Sequence, residues 1–255
     1  MRTIILILAF FLIVFVLLFI STSTLKIFQL NQKISKTYLH KIGINNQYVF
    51  SNGKKIIPLP IKETTRNKVM IIGAYPSAVF DYRGGNIVPI DNLNKAFDDT
   101  VREGQVNKSA QELENKILLP LGISRTDCWI TNLVKVFLVK KAHEKHYSSF
   151  KVEANRQKFY KYGQKSMSFL VEEIHIANPK LIIALGEEVA TVLKNSKLEK
   201  FDEFSYKLQR LNIDNKAYNI VYIAHPGALM REGKWSKIHD SKIIEIKEKI
   251  STIID

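Results

Sequence analysis

Four short apolar runs, rich in β-branched residues and separated by helical stretches, limit the fold of this chain more than any other feature. Uninterrupted apolar runs of this length are typical of strands that are buried on both faces. Their alternation with helices predicts a three-layer α/β/α fold with a central, mostly parallel four-stranded sheet. The four runs are Lys68–Ile72, Cys128–Leu133, Leu181–Leu185 and Ile220–Ala224.

Helices are predicted between these strands. Ser109 and Glu112 have the spacing of a capping box, so a helix is expected to begin at Ser109. Residues 153–177 have one apolar face and predict a long helix, and a terminal helix is expected from about Ser236. In open parallel sheets, ligands bind beyond the carboxyl ends of the strands. The residues that directly follow each strand are therefore the first candidates for function.

The N-terminus carries an apolar run of 17 residues, from Ile4 to Ile20. This length is at the short end of the range that crosses a bilayer, and it predicts one transmembrane helix within residues 1–23. A cleaved signal peptide is the alternative, although no clear small-x-small cleavage site follows. Lysines just after the run favour a single-pass membrane protein whose globular domain is cytoplasmic.

The positive charge of the chain is concentrated near this run. Of a formal net charge of +14, residues 1–66 supply nine basic side chains against one acid, Glu63. Residues 24–66 are therefore predicted to be a basic juxtamembrane linker that could contact anionic lipids, with one hairpin at Asn52-Gly53. Residues 67–255 are predicted to be the folded domain. Their smaller excess of positive charge permits nucleic-acid binding, and a lysine-rich solubilising surface is the alternative.

Motifs occur at the carboxyl ends of the first, second and fourth predicted strands, and a further motif includes the third. The first strand leads into Gly73-Ala74-Tyr75-Pro76-Ser77, the second contains Asn132, and the last leads into His225-Pro226-Gly227-Ala228-Leu229; the third lies within Pro179–Gly186. In order and strand context, these motifs resemble those of the uracil-DNA glycosylase superfamily, which has a G-x-x-P turn, an Asn and an H-P-[S/G]-x-L loop. The resemblance covers roughly residues 67–250.

The resemblance implies a hydrolase that removes a damaged or modified base from DNA by cleaving the N-glycosidic bond. In such an enzyme His225 would donate a hydrogen bond to the base as negative charge develops on it. Asn132 would recognise the base edge, with Gly73, Ala74, Tyr75, Pro76 and Ser77 forming the rest of the base pocket. Leu229 would fill the gap left by a flipped base, and Arg83, Arg231 and Lys234 would bind phosphates.

Each of these residues also has a structural interpretation. A histidine before proline is often satisfied by the backbone at the end of a strand. Asn132 could cap loose backbone groups, and Leu229 could belong to the core. The sequence alone leaves these alternatives open.

The chain departs from the superfamily pattern in the G-x-x-P turn. Many members carry Asp, Glu or Asn where this chain has Ala74 and Tyr75. One branch also has apolar residues there and carries an R-x-G…D pattern, which falls on Arg83, Gly85 and Asp91. Asp91 is thus the candidate catalytic carboxylate, with a helix N-cap as the alternative.

The position of the base-stacking aromatic in that pattern falls on Val88, which cannot stack in the same way. Tyr75, Phe80 or Tyr82 could substitute for it. With Cys128 as its one cysteine, the chain has no iron–sulfur cluster ligands. His143 and His146 do not have the H-E-x-x-H spacing, so neither a metal nor a cofactor is expected.

Two functions remain after this reasoning. The first is a DNA glycosylase-like hydrolase. The second is a membrane-tethered, catalytically inactive module that binds a nucleobase, a nucleotide or nucleic acid. A scaffold that has kept only the fold is a weaker third.

Overall fold

A computed structural model describes residues 23–45, 47–81, 87–100, 107–146, 153–195 and 199–254. A central six-stranded sheet has the order β1-β5-β2-β6-β8-β7. Its four inner strands run parallel to one another and are the four that the sequence predicts. They are β2 (Val69–Gly73), β5 (Cys128–Asn132), β6 (Leu181–Leu185) and β8 (Lys216–Ile223).

The prediction of four strands is wrong in number, because an antiparallel strand lies at each edge of the sheet. β1 (Glu63–Thr64) pairs with β5, and β7 (Leu208–Ile213) pairs with β8 through the turn at Asp214 and Asn215. Strand β7 contains three polar residues among its six and is mostly part-exposed or exposed. It therefore lacks the continuous apolar run that identifies a buried strand.

A separate two-stranded hairpin stands beside the main sheet. It consists of β3 (Ala78–Asp81) and β4 (Val88–Asn92), which pair antiparallel. The chain that follows the G-x-x-P segment therefore lies in a different sheet from β5, which ends at Asn132, and β8, which leads to His225.

The segment that the sequence predicts to be a linker, residues 24–66, is instead part of the folded domain. Residues 23–42 form helix α1. Its buried face consists of side chains four residues apart that join the main core, which is the pattern of an amphipathic helix. These side chains are Leu30, Ile34, Tyr38 and Ile42, each at most 1% exposed. Interspersed lysines disguise this face in the sequence.

The hairpin predicted within this segment is present. The Phe50 amide donates to the Lys54 carbonyl at 2.7 Å, and Gly53 has a φ of 81° as the turn requires. Asn31 of α1 ties the following chain to the helix, since its amide group donates to and accepts from the backbone of Ile61.

Helices cover both faces of the sheet, which confirms the three-layer arrangement. Helices α1, α4 and α5 pack on one face, and α2, α3 and α8 pack on the other. The predicted helix at Ser109 begins one residue earlier, and Asn107 takes the N-cap position without a side-chain hydrogen bond. The bounds are α2 (Lys108–Glu112), a π-helical segment (Leu113–Leu118), α3 (Leu119–Leu121), α4 (Phe159–Ala177), α5 (Glu187–Leu193), α6 (Phe201–Phe204), α7 (Pro226–Leu229) and α8 (Lys234–Ile254).

From residue 23 to residue 254, no helix in the described ranges has the length and apolar character needed to cross a bilayer. The apolar run Ile4–Ile20 lies outside the described residues, so the transmembrane helix stays a prediction.

Candidate active site

A cleft of about 660 Å³ opens at the carboxyl ends of the parallel strands. This is the edge at which sheets of this topology bind their ligands. The turn after β2, the end of β5, the turn after β6 and the loop after β8 all contribute to its lining. Among the lining residues are Ala74, Tyr75, Pro76, Ser77, Asn132, Gly186 and His225.

His225 precedes helix α7 and presents one ring nitrogen to the cleft. Its Nδ1 accepts a hydrogen bond from the Gly227 amide at 3.0 Å. Nε2 has no hydrogen-bond partner among the described residues. Because Nδ1 acts as an acceptor, a neutral ring carries its proton on Nε2.

The surroundings of His225 keep its ring neutral. Burial, together with the positive charges of Arg156 and Arg231, lowers the pKa of His225 to about 4. At neutral pH the imidazole is therefore a neutral donor. Gly186, with a φ of 94°, allows the close approach, because a Cβ there would lie 3.1 Å from the Cβ of His225.

Asn132 ends strand β5 and offers an unsatisfied amide at the cleft. The residue is 3% exposed. Its side-chain amide makes no hydrogen bond with any described residue. The amide atoms are accessible from the cleft, where they can form hydrogen bonds with a ligand.

A buried polar network holds the backbone behind Asn132. The Lys135 ammonium donates to the Asn132 carbonyl at 2.8 Å and forms an ion pair with Glu173. Trp129 Nε1 donates to the same Glu173 carboxylate, and the Tyr38 hydroxyl of α1 accepts from the Lys135 amide at 2.7 Å. Burial lowers the pKa of Lys135, and the Glu173 charge opposes that effect.

Phe97 is a cleft residue that sequence reasoning missed. Its ring centroid lies 6.1 Å from that of His225. A Cβ on Gly73 would lie 2.6 Å from the Phe97 ring and 2.5 Å from Asn132 Oδ1. The absence of a side chain at Gly73 thus lets the Phe97 ring, the Asn132 amide and the His225 imidazole share one region of the cleft.

The backbone of Phe97 has a strained conformation, which hydrogen bonds from neighbouring side chains stabilise. Its φ of 47° is rare for an aromatic residue and is tolerated only where the surroundings impose it. Arg125 donates to the Phe97 carbonyl at 2.8 Å and is itself held by both carboxylate oxygens of Glu63. Asp98, which is 1% exposed, accepts from the backbone amides of Asn94 and Thr100. No sequence spacing indicates this conformation.

Asp91, the predicted catalytic carboxylate, does not line the cleft. It lies on β4, where its carboxylate forms an ion pair with Lys54 and accepts the Asn92 amide. Val88 lies on the same strand and also does not line the cleft. Both residues lie away from the cleft because β3 and β4 form a separate hairpin. The alternative interpretation of Asp91 as a helix N-cap is wrong, since residues 93–97 are not helical.

Leu229 does not stand at the surface as the predicted wedge. It is 8% exposed and belongs to the core cluster beneath α8. The next residue, Met230, is 42% exposed and lines the cleft. The alternative interpretation of Leu229 as a core residue is confirmed.

The predicted phosphate-binding residues separate into three cases. Arg231 lines the cleft, and its Nε donates to the Gly227 carbonyl at 3.0 Å. Lys234 does not line the cleft and forms an ion pair with Asp202. Arg83, like Tyr82 and Gly85, lies outside the described residues.

Tyr75 and Phe80, two of the three aromatic alternatives, form part of the cleft wall. The Arg156 guanidinium lies 4.7 Å from the centre of the Tyr75 ring, a cation–π contact. Burial raises the pKa of Tyr75, so its hydroxyl stays protonated at neutral pH.

His143, one of the two histidines considered as metal ligands, packs against an aromatic ring. Its ring stacks near Phe137, with centroids 6.0 Å apart. The described residues include no group of three or more potential metal ligands.

These features define a three-layer α/β protein whose ligand cleft combines a neutral imidazole donor, a free amide and an aromatic wall. The sequence profile of the uracil DNA glycosylase superfamily matches residues 61–245, and the chain belongs to this superfamily. The match begins ahead of the predicted boundary at residue 67 and includes edge strand β1. No curated protein sequence matches the chain.

Proposed function

We propose that the protein is a DNA glycosylase-like hydrolase that releases a damaged or modified base. The observation that carries the proposal is the shared cleft of His225 and Asn132. Each offers a polar group without a partner among the described residues, and Phe97 lies beside both. A flat ligand with polar edges, such as a nucleobase, matches this combination.

The roles of the three residues follow from their chemistry. Phe97 provides an apolar face against which a flipped base can stack. The Asn132 amide both donates and accepts, as a pyrimidine edge requires. His225 donates from Nε2 to a base carbonyl oxygen, which becomes more negative as the glycosidic bond breaks.

The positive charge of the cleft stabilises the base as it departs as an anion. As water attacks the sugar carbon, the bonding electron pair leaves with the base, which departs as an anion and is then protonated. Arg156, Arg231 and Lys140 lower the pKa of His225 through their positive charges. The same charges stabilise an anion in the cleft. Bases that leave as stable anions, such as uracil, are therefore the expected substrates.

The carboxylate expected near the sugar has no counterpart at the predicted positions. Ala74 and Tyr75 cannot act as acids or bases in that role, and Asp91 is paired with Lys54. Among the described residues, the carboxylates that line the cleft are Glu187 and Glu188 of α5, and Glu188 forms an ion pair with Arg156. Catalysis would then depend mainly on stabilising the departing base.

The lack of a carboxylate at these positions also favours a second function. In this alternative the cleft binds a base, a nucleotide or nucleic acid and performs no hydrolysis. Both functions use the same residues, so an assay of base release distinguishes them.

The test is release of free base from single-stranded and duplex oligonucleotides that contain uracil, hypoxanthine or oxidised pyrimidines. His225→Ala should reduce the rate by about 100-fold or more, because one preorganised donor is lost. Asn132→Ala should change which base is accepted. His175→Ala is the matched control, since His175 is exposed and does not line the cleft.

Asp91→Asn tests the sequence-based hypothesis that Asp91 is the catalytic carboxylate. It should leave the rate unchanged, because Asp91 does not line the cleft. Activity that survives His225→Ala would show that the wrong donor has been named. No release from any substrate, together with measurable nucleotide binding by the wild type, would favour the binding module.

We also propose that the run Ile4–Ile20 anchors the protein in a membrane, with the domain on the cytoplasmic side. Helix α1 is described from Ser23, so three residue steps separate it from Ile20. They span at most about 11 Å, which would hold the domain close to the bilayer. The full-length chain should stay in the pellet after carbonate extraction. Release of the intact chain would contradict the anchor, and a shortened protein outside the cytoplasm would indicate signal cleavage.

A further inference from the structure

Three cationic side chains from three separate segments line the cleft that holds His225. Lys140 precedes the short turn Lys141–His146, Arg156 begins the turn that leads into α4, and Arg231 follows α7. These segments are far apart in sequence, so only the fold brings their charges together.

The three charges are close enough to affect one another. Burial lowers the pKa of Lys140, and the charges of Arg156 and Arg231 lower it further, while Glu188 opposes them. The same three cations lower the pKa of His225. Like charges held together in this way reduce stability, which is a cost that a bound anion would remove.

Neutralisation of these charges within the protein is incomplete. Arg156 has a carboxylate partner, Glu188, and lies against Tyr75. Among the described residues, Lys140 and Arg231 have no carboxylate partner. Arg231 uses Nε to donate to the Gly227 carbonyl, which leaves its two terminal nitrogens available to a ligand.

We propose that Lys140 and Arg231, with Arg156 beside them, form a phosphate subsite next to the base pocket, so that the cleft takes a nucleotide and not a bare base. Lysine and arginine are the side chains that bind phosphate oxygens best. The cleft volume of about 660 Å³ lies within the range of roughly 300–1,000 Å³ typical of small-molecule and cofactor sites.

The phosphate can come from either of two sources: the DNA backbone beside a flipped nucleotide, or the 5′-phosphate of a free nucleotide. The inference rests on the proposed function only in placing the base at His225. It does not require that the glycosidic bond be cleaved.

Binding to the full-length protein in detergent tests the subsite. The probes are deoxyuridine, deoxyuridine 5′-monophosphate and a fluorescently labelled single strand of deoxythymidines. Wild type should bind the monophosphate about tenfold or more tightly than the nucleoside, since only the monophosphate can form charge-assisted hydrogen bonds with these cations. Lys140→Gln and Arg231→Gln should each reduce that preference. Lys242→Gln is the control, because Lys242 pairs with Glu245 on α8 and does not line the cleft.

The salt dependence of strand binding provides a second readout. The slope of log affinity against log salt should fall by about 0.7 for each phosphate-binding cation removed. A fall in slope without a change in monophosphate preference identifies the strand as the source of the phosphate, and a change in both includes the free nucleotide. If neither quantity changes in either variant, the subsite does not exist.

The two proposals fail in different ways. Base release by a protein whose variants bind both probes like wild type would overturn the phosphate subsite and leave the glycosylase proposal intact. Phosphate-dependent binding without base release would do the reverse. Unfolding midpoints of the two variants should not fall, because each substitution removes repulsion between like charges.

Discussion

Replacing Gly73 with alanine should disable the cleft while the protein stays folded. Gly73 ends β2 and does not have a positive φ, so alanine can adopt its backbone conformation. The added Cβ would lie 2.5 Å from Asn132 Oδ1 and 2.6 Å from the Phe97 ring. The methyl group therefore meets two of the three groups proposed to bind the base.

The expected magnitude follows from these distances. Ordinary contacts between heavy atoms begin at about 3.5 Å, so both groups must move by roughly 1 Å. Extra volume in a packed region costs about 1–3 kcal/mol of the free energy of unfolding. A displacement of roughly 1 Å at a reacting site costs about 100-fold in rate, or about 2.7 kcal/mol of activation free energy. The loss of activity should therefore exceed what unfolding of the variant could explain.

Single-turnover base release and the affinity for deoxyuridine 5′-monophosphate measure the effect, and urea denaturation measures stability. Gly233→Ala is the matched control, since a Cβ there would have no heavy atom within 4 Å. Rates and affinities for Gly73→Ala within about twofold of those for Gly233→Ala would refute the reasoning, because a 1 Å displacement should cost far more.

Three further predictions follow from buried groups. Glu173→Ala should lower the free energy of unfolding by about 3–5 kcal/mol, because it leaves Lys135 buried and unpaired. Glu173→Leu combined with Lys135→Met should recover part of that loss in urea denaturation, because Trp129 Nε1 still loses its acceptor; an equal loss would contradict the role of the pair. His225, with a pKa of about 4, should stay neutral down to about pH 5 in an NMR titration. Because its pKa is lower in the folded than in the unfolded state, stability should decline as pH falls from about 6.5 toward 4; a midpoint above about pH 6 would contradict this. Removal of residues 1–22 should leave the domain folded, whereas removal of residues 1–42 should prevent folding because the core loses α1; equal unfolding midpoints would contradict the packing of α1.

The inner sheet and its covering helices were predictable because burial on both faces leaves a continuous apolar run in each strand. Edge strand β7 is half exposed and has no such run. Helix α1 was missed for a related reason. Its apolar residues stand four apart with lysines between them, so a basic composition concealed the amphipathic face that packs on the sheet.

The sequence by itself determined that Asn132 and His225 would share one edge of the sheet, because each stands at the carboxyl end of a parallel strand. It could not determine what completes the cleft. Phe97 lines the cleft because its backbone is left-handed, a conformation that Arg125 and Glu63 stabilise. Asp91 lies in the separate β3–β4 hairpin, where it forms an ion pair with Lys54. A strand motif places a residue along the chain and at one edge of a sheet. The direction of a loop side chain depends on contacts with segments distant in sequence, and only the tertiary structure brings those segments together.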